Sequence, residues 1–216
     1  MKKIYQFITV VSLLCTSAAS SAAIVVHNSL STFTAATNTP GTDTFEGMSL
    51  TGITPSPITR SAGPYSYTAA VSTTSFFAVG TIADTWLSTN TATDTITFNN
   101  FSSGVTAIGG FFFDSDISGV FKLGDIIVTA TDASGSSTQT LTNSLTTTFL
   151  GFVLDGPLIS LTVSAVQPAT TFAWPTINDL TLAKSNASVP EPEVIALFLI
   201  GFGAMGVIAR RRQYNI

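Results

Sequence analysis

With 216 residues, the chain holds about one ordinary domain once targeting segments are set aside, a domain taking roughly 100 to 200 residues. Charged residues make up 9% of the chain and the mean hydropathy is +0.45, against a charged fraction of about 25% in ordinary soluble proteins, so part of the sequence is membrane-directed. Between Ile24 and Ser188 only Arg60, Lys122 and Lys184 are basic against ten acidic residues, a net −7, which argues against nucleic acid as a partner because a phosphate backbone is held through Lys and Arg.

The chain opens with MKK, runs through an apolar stretch from Ile4 to Leu14, and then turns small and polar in CTSAASSAA. A basic start, an apolar centre of roughly 7 to 15 residues and small residues before the cut predict a secretory signal peptide over 1–23, cleaved after Ala23. Cleavage after Ala22 fits nearly as well. Cys15 is the only cysteine, and Leu14 stands before it where lipoprotein processing needs Gly or Ala, so Cys15 reads as lost with the signal. The exported body then has neither disulfides nor thiolate chemistry.

The body, 24–183, is rich in Thr, Ser, Val, Ile and Phe, the residues that favour strands. Short apolar or alternating runs such as SFFAVGTI, DTITFNNF, VTAIGGFFF, DIIVTATD and LISLTVSAV are each bounded by Gly, Asn, Asp or Pro. That spacing predicts an all-β, antiparallel sandwich or barrel. In DIIVTATDASGSSTQTLT two alternating arms flank a Gly135-containing loop, a hairpin whose Ile126, Val128 and Ala130 face the core. Gly109 and Gly110 mark a bulge or a close backbone approach, and Phe111, Phe112 and Phe113 read as packing. Residues 32–64 read as an irregular lead-in with one or two strands. The polar, proline-bearing stretch 184–193 reads as a linker.

Candidates for chemistry are few. His27 is the only histidine, which leaves no histidine-based zinc site, and no Gly-x-Ser-x-Gly elbow accompanies it. A glycosidase needs two carboxylates, and Glu46 with an aspartate formally supplies them, but spacing selects no pair. Asp114 and Asp116 are the best local pair for calcium, with turn formation as the competing role. Trp86, Trp174, Tyr65 and Tyr67 offer rings for sugar stacking, against core packing. The threonines raise ice binding, for which runs such as TATDTIT are short and irregular.

Residues 194–209 form an uncharged apolar run that as a helix spans about 24 Å, slightly under the roughly 30 Å hydrocarbon core. Acidic Glu-Pro-Glu precedes it and Arg210, Arg211 and Arg212 follow. This charge order predicts a transmembrane helix over 194–209, with 210–216 a basic cytoplasmic tail that stops export. Within it, GFGAMG matches a dinucleotide-binding pattern but lacks the strand, helix and acidic residue that pattern requires.

Val189, Pro190, Glu191 and Pro192, the apolar run and the terminal arginines together resemble the PEP-CTERM sorting tail of bacterial exported proteins. The resemblance covers about the last 28 residues. It implies that Val189 to Pro192 are read by an exosortase, a membrane-embedded transpeptidase-like protease, and that the helix and arginines retain the chain until it is processed. A permanent single-pass anchor has the same physical requirements. The body is similar to the jelly-roll bodies that often precede this tail, on ITFNNFSSGVTAIGGFFFD, FLGFVLDGPLISLTV and INDLTLA. The expectation is thus a non-enzymatic surface or matrix protein of jelly-roll type, without a required cofactor, partnered by an exosortase, the membrane and extracellular polysaccharide. The alternatives are a carbohydrate-binding module using calcium, an ice-binding protein and a secreted glycoside hydrolase.

Overall fold

The computed structural model describes residues 24–73 and 75–186. The expected signal peptide with its Ala23 cut, the motif Val189–Pro192, the apolar run 194–209 and Arg210–Arg212 lie outside the described residues. Among the described residues no helix is long and apolar enough to cross a membrane.

The described residues are mostly β, with 57% of them in strands. In order, β1 is Val25–His27, β2 Thr37–Asp43, β3 Ile53–Pro55, β4 Ile58–Ala62, β5 Tyr65–Val71, β6 Ser75–Thr81, β7 Asp84–Thr89 and β8 Ile96–Asn99. Then come β9 Ala107–Ser115, β10 Phe121–Lys122, β11 Gly124–Thr131, β12 Ser136–Ser144, β13 Phe149–Val153, β14 Ser160–Ala165 and β15 Trp174–Ser185. One sheet has nine strands, in the order β1-β13-β9-β15-β7-β6-β3 with β10 on β9 and β2 on β15. The other has six, ordered β12-β11-β14-β8-β5-β4. All the pairings are antiparallel.

Alternation along each strand sends one set of side chains between the sheets. Phe76, Leu87, Ile108, Phe112, Phe152, Ile177 and Leu182 from the larger sheet meet Tyr67, Ile96, Phe98, Ile126, Val128, Leu161 and Val163 from the smaller in one core. The hairpin β11–β12 turns Ile126, Val128 and Ala130 inward, all fully buried, as its alternation predicted. Phe112 joins this core, whereas Phe111 and Phe113, of opposite parity, pack on the other side of the larger sheet, Phe111 against Phe149 and Phe113 against Trp86.

That other side is partly covered. A short helix, α1 (Leu30–Ala35), is capped by Ser29, whose Oγ accepts from the Thr32 N–H at 3.3 Å. It sets Phe33 against Ala107, Phe149, Val153 and Ala183. Gly109 and Gly151 are register partners beneath it. A Cβ at Gly151 would stand 2.5 Å from Phe33 Cδ2, and one at Gly109 would stand 2.7 Å from Phe149 Cζ, so Gly151 admits the Phe33 ring and Gly109 the Phe149 ring. The expected close approach is therefore present, while the bulge lies across the ladder in β15, between Asn178 and Thr181.

At one edge the two sheets are locked together. Asp43 of β2 accepts from Arg60 Nε at 2.7 Å and Nη2 at 2.6 Å, from Tyr67 Oη at 2.6 Å and from the Phe45 N–H at 2.8 Å. Arg60 and Tyr67 belong to β4 and β5 of the smaller sheet, so this charge-assisted fork joins the layers. Burial, with the Asp43 carboxylate beside it, holds the Tyr67 phenol far above its ordinary range. The hydrogen bond to Asp43 holds the Arg60 guanidinium charged.

Two sequence boundaries need correction. The lead-in 32–64 contains most of α1 and all of β2, β3 and β4: β2 pairs with the distant β15 and β3 with β6, while β4 forms a hairpin with the next strand, β5. The linker does not begin at 184: Lys184 and Ser185 pair with Asn38 and Thr37 of β2. Asn186 then ties to Ala35 O and Thr37 O at 3.1 and 3.0 Å.

Candidate functional site

At the Trp174 end of β15 the outer side of the larger sheet forms a cleft of about 220 Å³. Its walls are Phe77 and Trp174, its floor Ser88 and Ser115, and its rim Asn90, Asp116 and Ile117. Outward parity on β6, β7, β9 and β15 brings these residues together. The β9–β10 loop closes one side: Asp116 Oδ1 accepts from Ser118 N at 2.8 Å and Val120 N at 3.0 Å. Gly119, at φ +74, lies against Val79, where a Cβ would come within 2.5 Å of Val79 Cγ1. Beneath the floor, Thr176 Oγ1 is 2.9 Å from Ser115 Oγ and 3.0 Å from Ser88 Oγ, while Ser88 Oγ donates to Pro175 O at 3.1 Å. Each hydroxyl has one proton and two lone pairs. Ser115 Oγ also lies 3.4 Å from Ser88 Oγ; with the Ser88 proton on Pro175 O, that contact takes the Ser115 proton and leaves Ser115 one lone pair without a partner in this group. Phe172, 63% exposed, meets Trp174 edge-on at 6.3 Å on the outer lip.

The outer face of the smaller sheet has a different chemistry. Thr138, Thr129, Thr162 and Thr97 stand in register across β12, β11, β14 and β8. Beside that row lie Ser136, Thr131 and Ser160, and Thr59 and Thr68 pair on β4 and β5. Neighbouring hydroxyls bond across strands, Thr129 to Thr138 at 2.9 Å and Thr131 to Ser136 at 2.8 Å. The only charged residues in these six strands are Arg60, turned to Asp43, and Asp125, whose Oδ1 holds the Asn143 N–H at the end of β11. Adjacent strands are spaced by about 4.7–4.9 Å, so the face is a ruled array of hydroxyls and methyls.

The expected calcium pair separates. Asp116 is a turn former, its Oδ1 engaged by two backbone donors. Asp114 points inward and is fully buried, with neither oxygen hydrogen-bonded. Burial pushes its carboxyl up to about 7, Lys122 pulls it back, and Asp125 pushes it further up. Lys122 gives its ammonium to Thr171 Oγ1 at 2.8 Å and Phe172 O at 2.5 Å. Among the described residues no group of three His, Cys, Asp or Glu side chains could hold a metal ion.

Glu46 lies near Asp179 and Asp84: burial first, then the Asp84 and Glu46 charges, raise the Asp179 carboxyl above its ordinary value. Glu46 lines neither the Trp174 cleft nor a second one, of about 230 Å³, beside Asp155 and Lys184. His27 sits in β1, its Nε2 buried without a partner and its ring 6.3 Å from Phe33. Tyr65 and Tyr67 are buried, bonded to Thr39 and Asp43, so they offer no ring to a sugar. Trp86 packs edge-on to Phe113 at 4.9 Å. Of the four rings Trp174 lines the cleft of about 220 Å³, together with Ser88, Ser115 and Asn90, which sequence reasoning did not single out.

The PEP-CTERM protein-sorting motif matches residues 188–213. No curated protein and no solved structure matches the chain.

Proposed function

Since the chain carries a PEP-CTERM sorting motif, which marks an exported protein sorted by exosortase, we propose that it is a non-enzymatic surface or matrix protein whose body associates with exopolysaccharide. In this reading the signal peptide starts export and the run 194–209 holds the chain in the inner membrane. Exosortase acts near Val189–Pro192, and the β-sandwich, of jelly-roll type, reaches the cell surface or matrix. The observation that carries the polysaccharide part is the hydroxyl face of the smaller sheet. A body of net −7 places a single carboxylate, Asp125, in these six strands, its Oδ1 held by the Asn143 N–H, so a hydroxyl-rich chain meets donors and acceptors there with little charge repulsion.

Two experiments test the reading. Replacing Pro190, Glu191 and Pro192 with alanine is expected to change the protein's mass and fractionation in its host; unchanged behaviour would leave the tail a permanent anchor. Introducing Thr129→Glu with Thr162→Glu is expected to release the protein from isolated matrix polysaccharide. Undiminished retention would remove the face from the proposal.

The same face supports a second reading, ice binding, because ordered rows of threonine can template ordered water. Ice-recrystallisation inhibition that disappears in the Thr129→Glu, Thr162→Glu variant would favour it over polysaccharide, and its absence in the unmodified chain would end it.

A further inference from the structure

The geometry points to the Trp174 cleft as a site for one neutral sugar ring; this rests on the reading that the body meets polysaccharide. Size comes first. At about 220 Å³ the cleft lies below the roughly 300–1,000 Å³ of sites that engulf a drug-sized ligand, which suits a single ring or chain end and excludes a buried oligosaccharide.

Chemistry selects the class. Trp174 and Phe77 supply flat apolar surface for the C–H face of a pyranose. Ser115, 1% exposed as a residue, keeps one lone pair for a guest hydroxyl, its Oγ held in place by Thr176 and Ser88. On the rim, the Asn90 side chain brings both a donor and an acceptor, and Asp116 keeps Oδ2 for a sugar hydroxyl while Oδ1 holds the loop. No lysine or arginine lines the cleft, and the nearest cation described, Lys122, is engaged by Thr171 and Phe172. A carboxylate or sulfate on the guest would meet Asp116 without compensation, so the site discriminates against acidic sugars.

Position supports the assignment. The 12 residues of β15 separate Trp174 from Ser185 by roughly 36 Å at about 3.3 Å per residue. The described chain ends at Asn186, beside the Ser185 end, and the cleft lies at the opposite end of this strand.

The test is a glycan array carrying neutral and uronic-acid-bearing oligosaccharides, probed with the full chain in mild detergent. Binding to a neutral glycan is expected, at least tenfold weaker in Trp174→Ala and in Ser115→Ala, and tenfold weaker again for acidic counterparts. Ile117→Trp provides a variant that leaves the core untouched, since Ile117 is 80% exposed; its indole fills the mouth and lowers binding to the same extent. Binding to neutral glycans indifferent to all three substitutions overturns the cleft and leaves the polysaccharide reading standing. Preference for acidic glycans overturns the neutral-sugar assignment. Binding to no glycan removes both.

Discussion

The two sheets share one core and differ on their outer faces. Outside the larger sheet Phe33, Phe149, Phe111, Trp86 and Phe113 build a second apolar layer, covered in part by α1 and the β9–β10 loop. The smaller sheet exposes rows of Ser and Thr with no covering element among the described residues. Burial is therefore asymmetric: the aromatic side completes the fold, and the hydroxyl side is left uncovered by the described residues. Away from the Trp174 cleft, a substitution on the first should be read in stability, and one on the second in binding.

Four predictions press on this contrast. The largest effect is expected at the clasp that joins the layers: Asp43→Ala strands Arg60 and Tyr67 and should cost about 3–5 kcal/mol in chemical denaturation. Phe33→Ala should approach it, at about 3–5 kcal/mol, while Gly151→Ala, which pushes a methyl into that ring, should cost about 1–3 kcal/mol. If Phe33→Ala proved neutral, the covered face would be no part of the fold. Next comes pH. The Asp114 carboxyl lies at about 7 in the fold against an ordinary 3.8, so the folded state binds the extra proton between these values. Its contribution is fully present below about pH 4, declines as pH rises through this window and is lost above about 7. Thermal melts should fall by several degrees across that interval, and Asp114→Asn should flatten the slope; an unchanged slope would show that Asp114 is charged throughout. The smallest effect belongs to the hydroxyl face, where Thr129→Ala and Thr162→Ala should each shift stability within about 0.5 kcal/mol.

What was legible in the sequence was what lies along the chain. Alternation in DIIVTAT announced both the strand and its core side, and the order of Pro-Glu-Pro, apolar run and arginines announced the sorting motif. Features built across the chain were not legible. TATDTIT looked irregular because the threonine rows run perpendicular to the strands, through Thr97, Thr162, Thr129 and Thr138, whose register no single segment encodes. The cleft draws Ser88, Ser115 and Trp174 from three separate strands. Helix α1 has six residues, too few for a helical period, though Ser29 ahead of it was a usable capping cue. Asp43 looked like one more turn residue because its partners, Arg60 and Tyr67, lie 17 and 24 positions away.

The strand that ends in the tail also decides how the protein bears load. β15 is held on one side by β9 and on the other by β7 and β2, with Asn186 stitched to the residues around Ala36 at its exit. A pull between a tethered C-terminus and a guest at the Trp174 end runs along this strand, stressing its hydrogen bonds together in shear rather than opening them one after another. Under tension applied between the two ends of β15, the peripheral contacts should yield before this strand slides.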